Sequence, residues 1–380
     1  MKVVIAIDSF KGCMTSSQAG EAAKKGILRA VPDAEIVVRP MADGGEGTVD
    51  ALAAGHEKEV VQADVQGPLG DPAKARYAIL DGETAVMEMS AASGITMIPK
   101  EKLNPYKTST YGVGQMIADA LDRGCREIIL GIGGSATNDG GAGMLRALGF
   151  ELLDADGKQI PLGAQGLEKL KTIQCDHAHQ GLTACRIRVV SDVSNPLTGT
   201  QGASAVFGPQ KGASPEMVRQ LDQWLARYAE TAAAAVADAD PEYPGSGAAG
   251  GLGFALRTFL HAELMPGVDL VLDFTGMEEI VKDADILITG EGQIDRQTVM
   301  GKAPSGIAKL GKKYGIPVLA FSGSVTDDAR YCNEHGITAF FPILRRIATL
   351  DEAMDTAQAE KNMADAAEQV FRVAAACAQK

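Results

Sequence analysis

The chain has 380 residues, of which 46% are hydrophobic and 22% are charged, and its formal net charge is −13. This length exceeds what one hydrophobic core usually serves, so two domains are expected. The acidic balance argues against nucleic-acid binding, which needs basic patches. No segment approaches the ~20 consecutive apolar residues that a membrane-spanning helix requires.

The cysteines and the first residues indicate a reducing compartment. The 6 cysteines are scattered, with neither a Cys-x-x-Cys pair nor a zinc-like spacing to histidine, a pattern typical of free thiols. The apolar run Val3–Ile7 stops at Asp8, which is too short for the core of a signal peptide. We therefore expect a cytoplasmic protein with no membrane or nucleic-acid partner. The sequence leaves its oligomeric state open, and a homo-oligomer is one of the possible states.

The first part of the chain alternates β-branched runs with helical periods, as parallel α/β domains do. The predicted elements are a strand at Val3–Ile7, a helix at Ser16–Val31, a strand at Glu35–Arg39 and a helix at Thr48–Ala54. From about Glu57 the pattern changes to short runs separated by Gly, Pro and Asp turns, which indicates antiparallel strands. These runs are Glu59–Val65, Ala75–Leu80 and Thr84–Met89.

The rest of the chain returns to regular alternation only after Asp285. Before that point we predict a helix at Gly112–Arg123, a strand from Ile128, a helix from Gly143, a strand at Arg186–Ser191 and a long helix at Pro215–Asp238. After it we predict strands at Ile286–Thr289, Val318–Phe321 and Ala339–Pro342. We also predict a helix that ends near Tyr314, a helix at Asp327–His335 and a final helix that ends near Cys377.

The two ends of the chain therefore resemble each other, whereas the middle differs. We predict an α/β protein of two domains. A discontinuous Rossmann-like parallel α/β domain comprises residues 1–57 and 285–380, and an inserted mixed α/β domain comprises residues 58–284.

The most distinctive segment reads IILGIGGSATNDGGAG from Ile128 to Gly143, an apolar strand followed by a glycine-rich loop. Glycine lets a ligand approach backbone N–H groups closely, and a helix that follows such a loop favours an anion. The loop matches neither the P-loop motif nor the dinucleotide fingerprint. It predicts a phosphate or carboxylate site, and the alternative is an ordinary tight turn between strand and helix.

Polar side chains collect after the strands, where ligands bind in open α/β sheets. The loops are Asp8–Gly12, Met41–Gly47, Asp192–Leu197 and Gly290–Thr298. For any single carboxylate, the alternative is a helix cap or a turn. That alternative is weaker for Asp43 and Glu46, which lie among glycines, and for Asp295, which precedes Arg296 and Lys302.

Several carboxylates with two or three cations on such loops fit phosphoryl transfer to a small hydroxyl substrate, which needs Mg²⁺ ligands, cations and a base. The histidines lie outside these loops, which disfavours histidine catalysis and a zinc site. Two rival classes stay open at this point. A nucleotide-linked oxidoreductase lacks its fingerprint and a catalytic histidine, and a small-molecule sensor would not need so many carboxylates.

Six stretches together resemble the bacterial glycerate kinase family of type I, whose members are glycerate 2-kinases. The resemblance runs from Met1 to about Ala375 and is carried by Asp8–Gly20, Arg39–Leu52, Gly131–Gly149, Asp192–Ala213, Gly247–Gly253 and Thr289–Ala308. It implies an ATP- and Mg²⁺-dependent kinase that phosphorylates D-glycerate to 2-phosphoglycerate in glycolate, glyoxylate or aldarate breakdown. The residues by themselves indicate only a nucleotide and a small anionic hydroxyl substrate.

Given this resemblance, we expect direct transfer of the γ-phosphoryl group to the 2-hydroxyl. Lys11, Arg296 and Lys302 are the expected cations for the phosphates and the glycerate carboxylate. Asp192 is the first candidate for the general base, and Asp295 is the next.

The remaining assignments concern contacts to metal, substrate and nucleotide. Asn195 and Glu46 are the expected metal ligands, and Asp8 and Asp43 are expected to contact the substrate. The residues expected to hold nucleotide phosphates are Gly133, Gly134, Ser135, Asn138, Gly140 and Gly141.

Overall fold

The structure, a computed structural model, describes residues 1–42, 48–54 and 56–378. The chain divides into two compact α/β units. Unit 1 comprises Met1–Gly55 and Pro266–Lys380, and unit 2 comprises His56–Met265. Among the described residues, no helix is both long enough and apolar enough to cross a membrane.

The strands form two larger sheets and one short hairpin-like pair. In chain order they are β1 (Lys2–Ile7), β2 (Glu35–Val38), β3 (Lys58–Gln66), β4 (Pro72–Leu80), β5 (Thr84–Glu88), β6 (Glu127–Gly131), β7 (Glu151–Leu153), β8 (Thr172–Gln174), β9 (Arg186–Val190), β10 (Glu263–Met265), β11 (Ile286–Ile294), β12 (Val318–Val325) and β13 (Ala339–Pro342).

The helices range from single turns to long amphipathic helices. They are α1 (Ser16–Ala30), α2 (Thr48–Ala53), α3 (Ser90–Ser93), α4 (Tyr111–Asp122), α5 (Ala142–Ala147), α6 (Ala203–Phe207), α7 (Pro215–Ala235), α8 (Ala248–Leu260), α9 (Gly267–Phe274), α10 (Met277–Val281), α11 (Ala303–Tyr314), α12 (Tyr331–Glu334), α13 (Leu350–Ala353) and α14 (Thr356–Ala378).

The sheet of unit 1 is parallel throughout, in the order β13-β12-β11-β1-β2. Its apolar run Val3–Ile7 is buried, since β1 has a strand on each side. Side chains alternate between the faces of a strand. Val3, Ile5 and Ile7 accordingly share one core with residues of α1 and α14.

Helices α1 and α14 pack unusually closely because α1 contains Gly26. A Cβ atom at Gly26 would lie 2.0 Å from the carbonyl oxygen of Ala364 on α14. The glycine therefore brings the helix backbones together, and α1 is fixed at its start by a capping box between Thr15 and Gln18.

The sheet of unit 2 is mixed, in the order β10-β9-β6-β5-β4-β3. The antiparallel pairing predicted for the segment after Glu57 is confirmed, because β3 pairs with β4 and β4 with β5 in that sense. The remaining neighbours β5, β6, β9 and β10 are parallel. Their carboxyl ends therefore lie at one edge of this sheet.

The structure differs from the predictions at the domain boundary, at one predicted helix and at two strands: β11 and β12 run beyond their predicted ends, to Ile294 and Val325. The predicted inserted domain ends at residue 284, whereas the division falls between Met265 and Pro266. The reason is that α9 packs on α2 and α11, and α10 packs on α11. The predicted helix Asp327–His335 is a 3₁₀ turn at Asp327–Arg330 followed by the short helix α12.

Candidate functional site

A cavity of about 500 Å³ lies within unit 1 at the carboxyl edge of its sheet. Its charged lining residues follow β1, lie near the end of β11 or precede α11; they are Asp8, Lys11, Glu291, Asp295 and Lys302. Parallel strands bring these positions together because their carboxyl ends share one edge. Four of them were predicted site residues, and Glu291 was not.

A second side of this cavity is apolar and comes from the chain after β13. We call it the apolar wall, and it consists of Ile343, Leu344, Leu350, Ala353, Met354 and Ala359. The loop after β1 is fastened to this wall, since Thr356 donates a hydrogen bond from Oγ1 to the carbonyl oxygen of Cys13 over 2.7 Å. The cavity thus combines a charged lining with an apolar one.

Glu291 and Lys302 form an ion pair in the cavity, in which the carboxylate is buried and the lysine is partly exposed. The Nζ of Lys302 lies 3.2 Å from Oε2 of Glu291, and Glu291 is only 8% exposed. Burial raises the pKa of Glu291, and hydrogen bonds to the carboxylate together with the charge of Lys302 oppose this shift. The Oε1 atom of Glu291 makes no hydrogen bond to any described residue. This oxygen is itself buried, so it is closed off from solvent in this structure.

Asp8 and Lys11 lie on the loop that follows β1. Asp8 is buried, its N–H donates to the carbonyl oxygen of Gly290, and its Oδ1 accepts a hydrogen bond from the N–H of Ser9 over 2.6 Å. Lys11 is exposed on the adjoining turn and lines the cavity. Asp43 and Glu46 lie outside the described residues.

Asp295 serves as a helix cap as well as lining the cavity. Its Oδ1 accepts hydrogen bonds from the N–H groups of Gln297 and Thr298. In return, the N–H of Asp295 donates a hydrogen bond to Oγ1 of Thr298. The neighbouring Arg296 is exposed and stacks over the ring of Tyr331, 4.7 Å from its centroid. Arg296 is not among the lining residues of the cavity, so its predicted substrate contact stays a prediction.

In unit 2, the glycine-rich loop follows β6 at the carboxyl edge of the mixed sheet. Glu88 at the end of β5 pairs in register with Gly131, and Gly131 pairs with Val190 at the end of β9. The exposed start of the loop is Gly133–Gly134, and the amides of these two residues and of Ser135 donate no hydrogen bond to any described residue. This half of the loop retains the donors that an anion needs.

The second half of the same loop is buried and hydrogen bonded within unit 2. The side-chain amide of Asn138 donates to Oγ of Ser204 over 2.9 Å, and the N–H of Gly140 donates to the carbonyl oxygen of Gly250 over 3.0 Å. The N–H of Gly141 donates to Asp139. These groups are thus engaged, although the sequence suggested them for nucleotide phosphates.

Asp139 organises this buried half. Its carboxylate accepts hydrogen bonds from the N–H and hydroxyl of Thr110 and from the N–H groups of Gly141 and Gly143. Burial raises the pKa of Asp139, whereas these hydrogen bonds to the carboxylate favour its charged form. Asp139 therefore joins the start of α4 to the start of α5.

Lys211 is a second buried charge beside the loop. Its Nζ donates to the carbonyl oxygen of Thr137 over 2.6 Å, and the residue is 1% exposed. Burial lowers the pKa of Lys211 to about 7, and the charge of Asp139 opposes this shift. Sequence reasoning gave Lys211 no role, since only a long-range contact distinguishes it from other loop lysines.

Asp192 follows β9 and is exposed, as the strand-end prediction expects. Asn195 is fixed within the same loop, because its Nδ2 donates to the carbonyl oxygen of Gln201 over 2.8 Å and its own carbonyl accepts from the N–H of Gly247. Its Oδ1 is an oxygen donor of the kind that Mg²⁺ prefers. Within the described ranges, no group of three or more His, Cys, Asp or Glu residues could hold a metal ion.

Comparison with known proteins decides the family. The model of the glycerate kinase family matches residues 3–375. The chain belongs to this family. Its sequence is 48% identical to a glycerate kinase of Halalkalibacterium halodurans over 95% of this chain and 97% of that protein. It is also 48% identical to a glycerate 2-kinase of Escherichia coli K12 over 93% of both chains.

Structural comparison agrees with glycerate kinase family membership. A crystal structure described as that of a candidate glycerate kinase 2 from Salmonella typhimurium LT2 matches with a TM-score of 0.91. The two proteins share 44% identity, and the match covers 100% of each chain. The resemblance that the six sequence stretches indicated is therefore confirmed over nearly the whole chain.

Proposed function

We propose that this chain is an ATP-dependent kinase that phosphorylates D-glycerate at the 2-hydroxyl and releases 2-phosphoglycerate and ADP. The observation that carries the proposal is the similarity along almost the whole chain to a protein named glycerate 2-kinase. Lys11 and Lys302, which line the cavity of unit 1, support it. Phosphoryl transfer depends on cations that offset the charge of the phosphates.

The proposed reaction is a direct displacement. The 2-hydroxyl oxygen of glycerate forms a bond to the γ-phosphorus while the bond from that phosphorus to the oxygen of the β-phosphate breaks, and ADP leaves. The proton of the hydroxyl passes to a carboxylate, for which Asp192 is the first candidate. Its exposed position after β9 supports this role.

The other residues bind the anionic groups. In the proposal, Lys11, Lys302 and Arg296 hold the phosphates and the glycerate carboxylate, and the backbone N–H groups of Gly133, Gly134 and Ser135 donate hydrogen bonds to phosphate oxygens. Arg has the planar, bidentate geometry that suits a carboxylate.

Mg²⁺ would neutralise charge on the transferring phosphates. A protein usually holds this ion through one or two oxygen ligands, and substrate phosphates and water complete its shell. The Oδ1 of Asn195 fits such a role, and so does a carboxylate at Glu46. No larger cluster of protein ligands is required.

The proposed setting is the breakdown of glycolate, glyoxylate or aldarates in the cytoplasm. The free state of all 6 cysteines supports a reducing compartment.

The test is a coupled assay of ADP release from Mg·ATP with D-glycerate, with L-glycerate as the comparison substrate. We expect turnover with D-glycerate and a product whose phosphorus NMR spectrum is that of the 2-phosphate. A folded protein inert toward both enantiomers would overturn the kinase proposal. A 3-phosphate product would overturn only the position of transfer.

A further inference from the structure

The cavity of unit 1 contains more apolar surface than one substrate of the proposed reaction can use. Glycerate is a three-carbon acid that carries oxygen on every carbon, so it has no apolar part. The apolar wall nevertheless leaves large side chains unburied: Leu344, Leu350 and Met354 are 37%, 76% and 36% exposed. Exposed apolar side chains grouped on a cavity wall mark a binding surface.

We propose that the adenine and ribose of ATP bind against the apolar wall, so that unit 1 holds the nucleoside. The proposal rests on the proposed function in one respect, namely that the phosphoryl donor is a nucleoside triphosphate. An adenine ring is flat and largely apolar, and it is the part of the two substrates that gains most from leaving water. The triphosphate then extends toward Lys11 and Lys302.

The apolar wall also carries a polar group suited to a purine. Asn362 on α14 lines the cavity, and its Oδ1 accepts a hydrogen bond from Gln358 over 3.0 Å. That bond orients the amide, and its Nδ2 donates to no described residue. Ring nitrogens of adenine are hydrogen-bond acceptors, so Nδ2 is the group that orients the base. A few polar groups in an apolar pocket usually fix a ligand in this way.

The loop after β1 packs against the apolar wall and leaves part of it exposed. The Cε of Met354 would lie 3.1 Å from a Cβ atom at Gly12, which shows how closely the loop after β1 approaches this wall. Gly12 has a φ of +75°, a conformation that suits glycine. The nucleoside surface and the loop carrying Lys11 therefore form one continuous lining.

The experiment measures ADP binding by calorimetry, with Mg²⁺ present and glycerate absent. Leu350→Asn and Met354→Asn each remove apolar contact from the wall without adding charge, and we expect each to raise the Kd for ADP at least about fivefold. Ile347→Asn is the matched control, since Ile347 is 101% exposed on the same segment and does not line the cavity. We expect its Kd to stay within about twofold of wild type.

A second measurement uses the unmodified chain and does not depend on how a variant folds. Cys13 lines the cavity, whereas Cys377 is exposed on α14 and does not line it. ADP should slow alkylation of Cys13, followed by mass spectrometry, and leave alkylation of Cys377 unchanged.

The outcomes separate this inference from the proposed function. Wild-type ADP affinity in both wall variants, absence of ADP binding by the wild type, or unprotected Cys13 would each overturn the nucleoside site. Weakened ADP binding in the wall variants together with no turnover of glycerate would support the nucleoside site and overturn the proposed function.

Discussion

The ammonium group of Lys211 donates a hydrogen bond to the carbonyl oxygen of Thr137 over 2.6 Å, and both residues are buried. Burial without a full set of partners opposes the charged form of lysine. Lys211 thus fixes the backbone of the glycine-rich loop at an electrostatic cost, and that cost depends on pH.

We expect the stability of the wild type to rise with pH between about 7 and the unfolded pKa of lysine near 10.4. In this window folded Lys211, with its pKa of about 7, binds fewer protons than unfolded Lys211, so raising the pH favours the folded state. Below pH 7 both states are protonated and the burial cost is complete. The Lys211→Met variant should lack this rise.

The check is urea unfolding of both proteins at pH 7, 8 and 9. The free energy of unfolding of the wild type, minus that of Lys211→Met, should grow by about 1 kcal/mol per pH unit. Lys171→Met, at an exposed position of unit 2, should reproduce the wild-type slope. Equal slopes in all three proteins would contradict the assignment.

The Glu291–Lys302 pair predicts a double-mutant result. Lys302→Met leaves a buried carboxylate without its cation, so the pKa of Glu291 rises further and folding at pH 7 should weaken by about 1 kcal/mol. The raised pKa penalises the folded state once the pH exceeds the unfolded value of glutamate, so the loss should shrink at low pH.

Adding Glu291→Gln to Lys302→Met removes the uncompensated charge, and thermal melting should show recovery toward the wild type. The double variant should still lose more than about tenfold in kcat/KM, because Lys302 is a proposed phosphate contact. A double variant no more stable than the single one would show that the pair is not energetically coupled.

Asp192→Asn tests the proposed base. The change keeps the size and the turn-forming oxygen of the side chain but removes its basicity. We expect kcat to fall at least ~10²-fold, the usual scale for a general base, with the melting temperature and the Kd for ADP nearly unchanged. Steady-state kinetics with Mg·ATP and D-glycerate provide the measurement. Activity within about threefold of wild type would dismiss Asp192 and turn attention to Asp295.

The left-handed residues at the start of α8 predict opposite effects at neighbouring positions. Ala249 has a φ of +51°, which glycine adopts more readily, so Ala249→Gly should leave stability unchanged or raise it by up to about 1 kcal/mol. At Gly250, a Cβ atom would lie 2.1 Å from the carbonyl oxygen of Thr137. Gly250→Ala should therefore destabilise by more than about 2 kcal/mol in chemical denaturation. Comparable stability of the two variants would contradict this account.

The sequence predicted those strands well whose own residues show that they are buried or separated by turns. Val3–Ile7 reads as a buried strand and is one, because an apolar β-branched run suits a position between two strands. The turn-separated runs after Glu57 likewise form β3, β4 and β5. The division before Pro266 could not be predicted this way, since it depends on which unit α9 and α10 pack against.

In the candidate site, too, features that depend on local sequence were predicted and features that depend on distant contacts were not. The strand-end rule located Asp8, Lys11, Asp295 and Lys302, which line one cavity. It could not foresee that the Gly140 amide is engaged by Gly250, a residue distant in sequence. Partners of this kind are set by tertiary packing.

The pairing of β1 with β11 has a consequence for synthesis of the chain. Val3 lies opposite Ile286, and the whole of unit 2 is translated between them. Domains generally fold as units while the chain emerges, so unit 2 can complete its sheet while unit 1 has only β1 and β2. A ribosome that stops at Met265 would release a chain with two of the five strands of that sheet, and the unpaired edge of β1 would be open to aggregation.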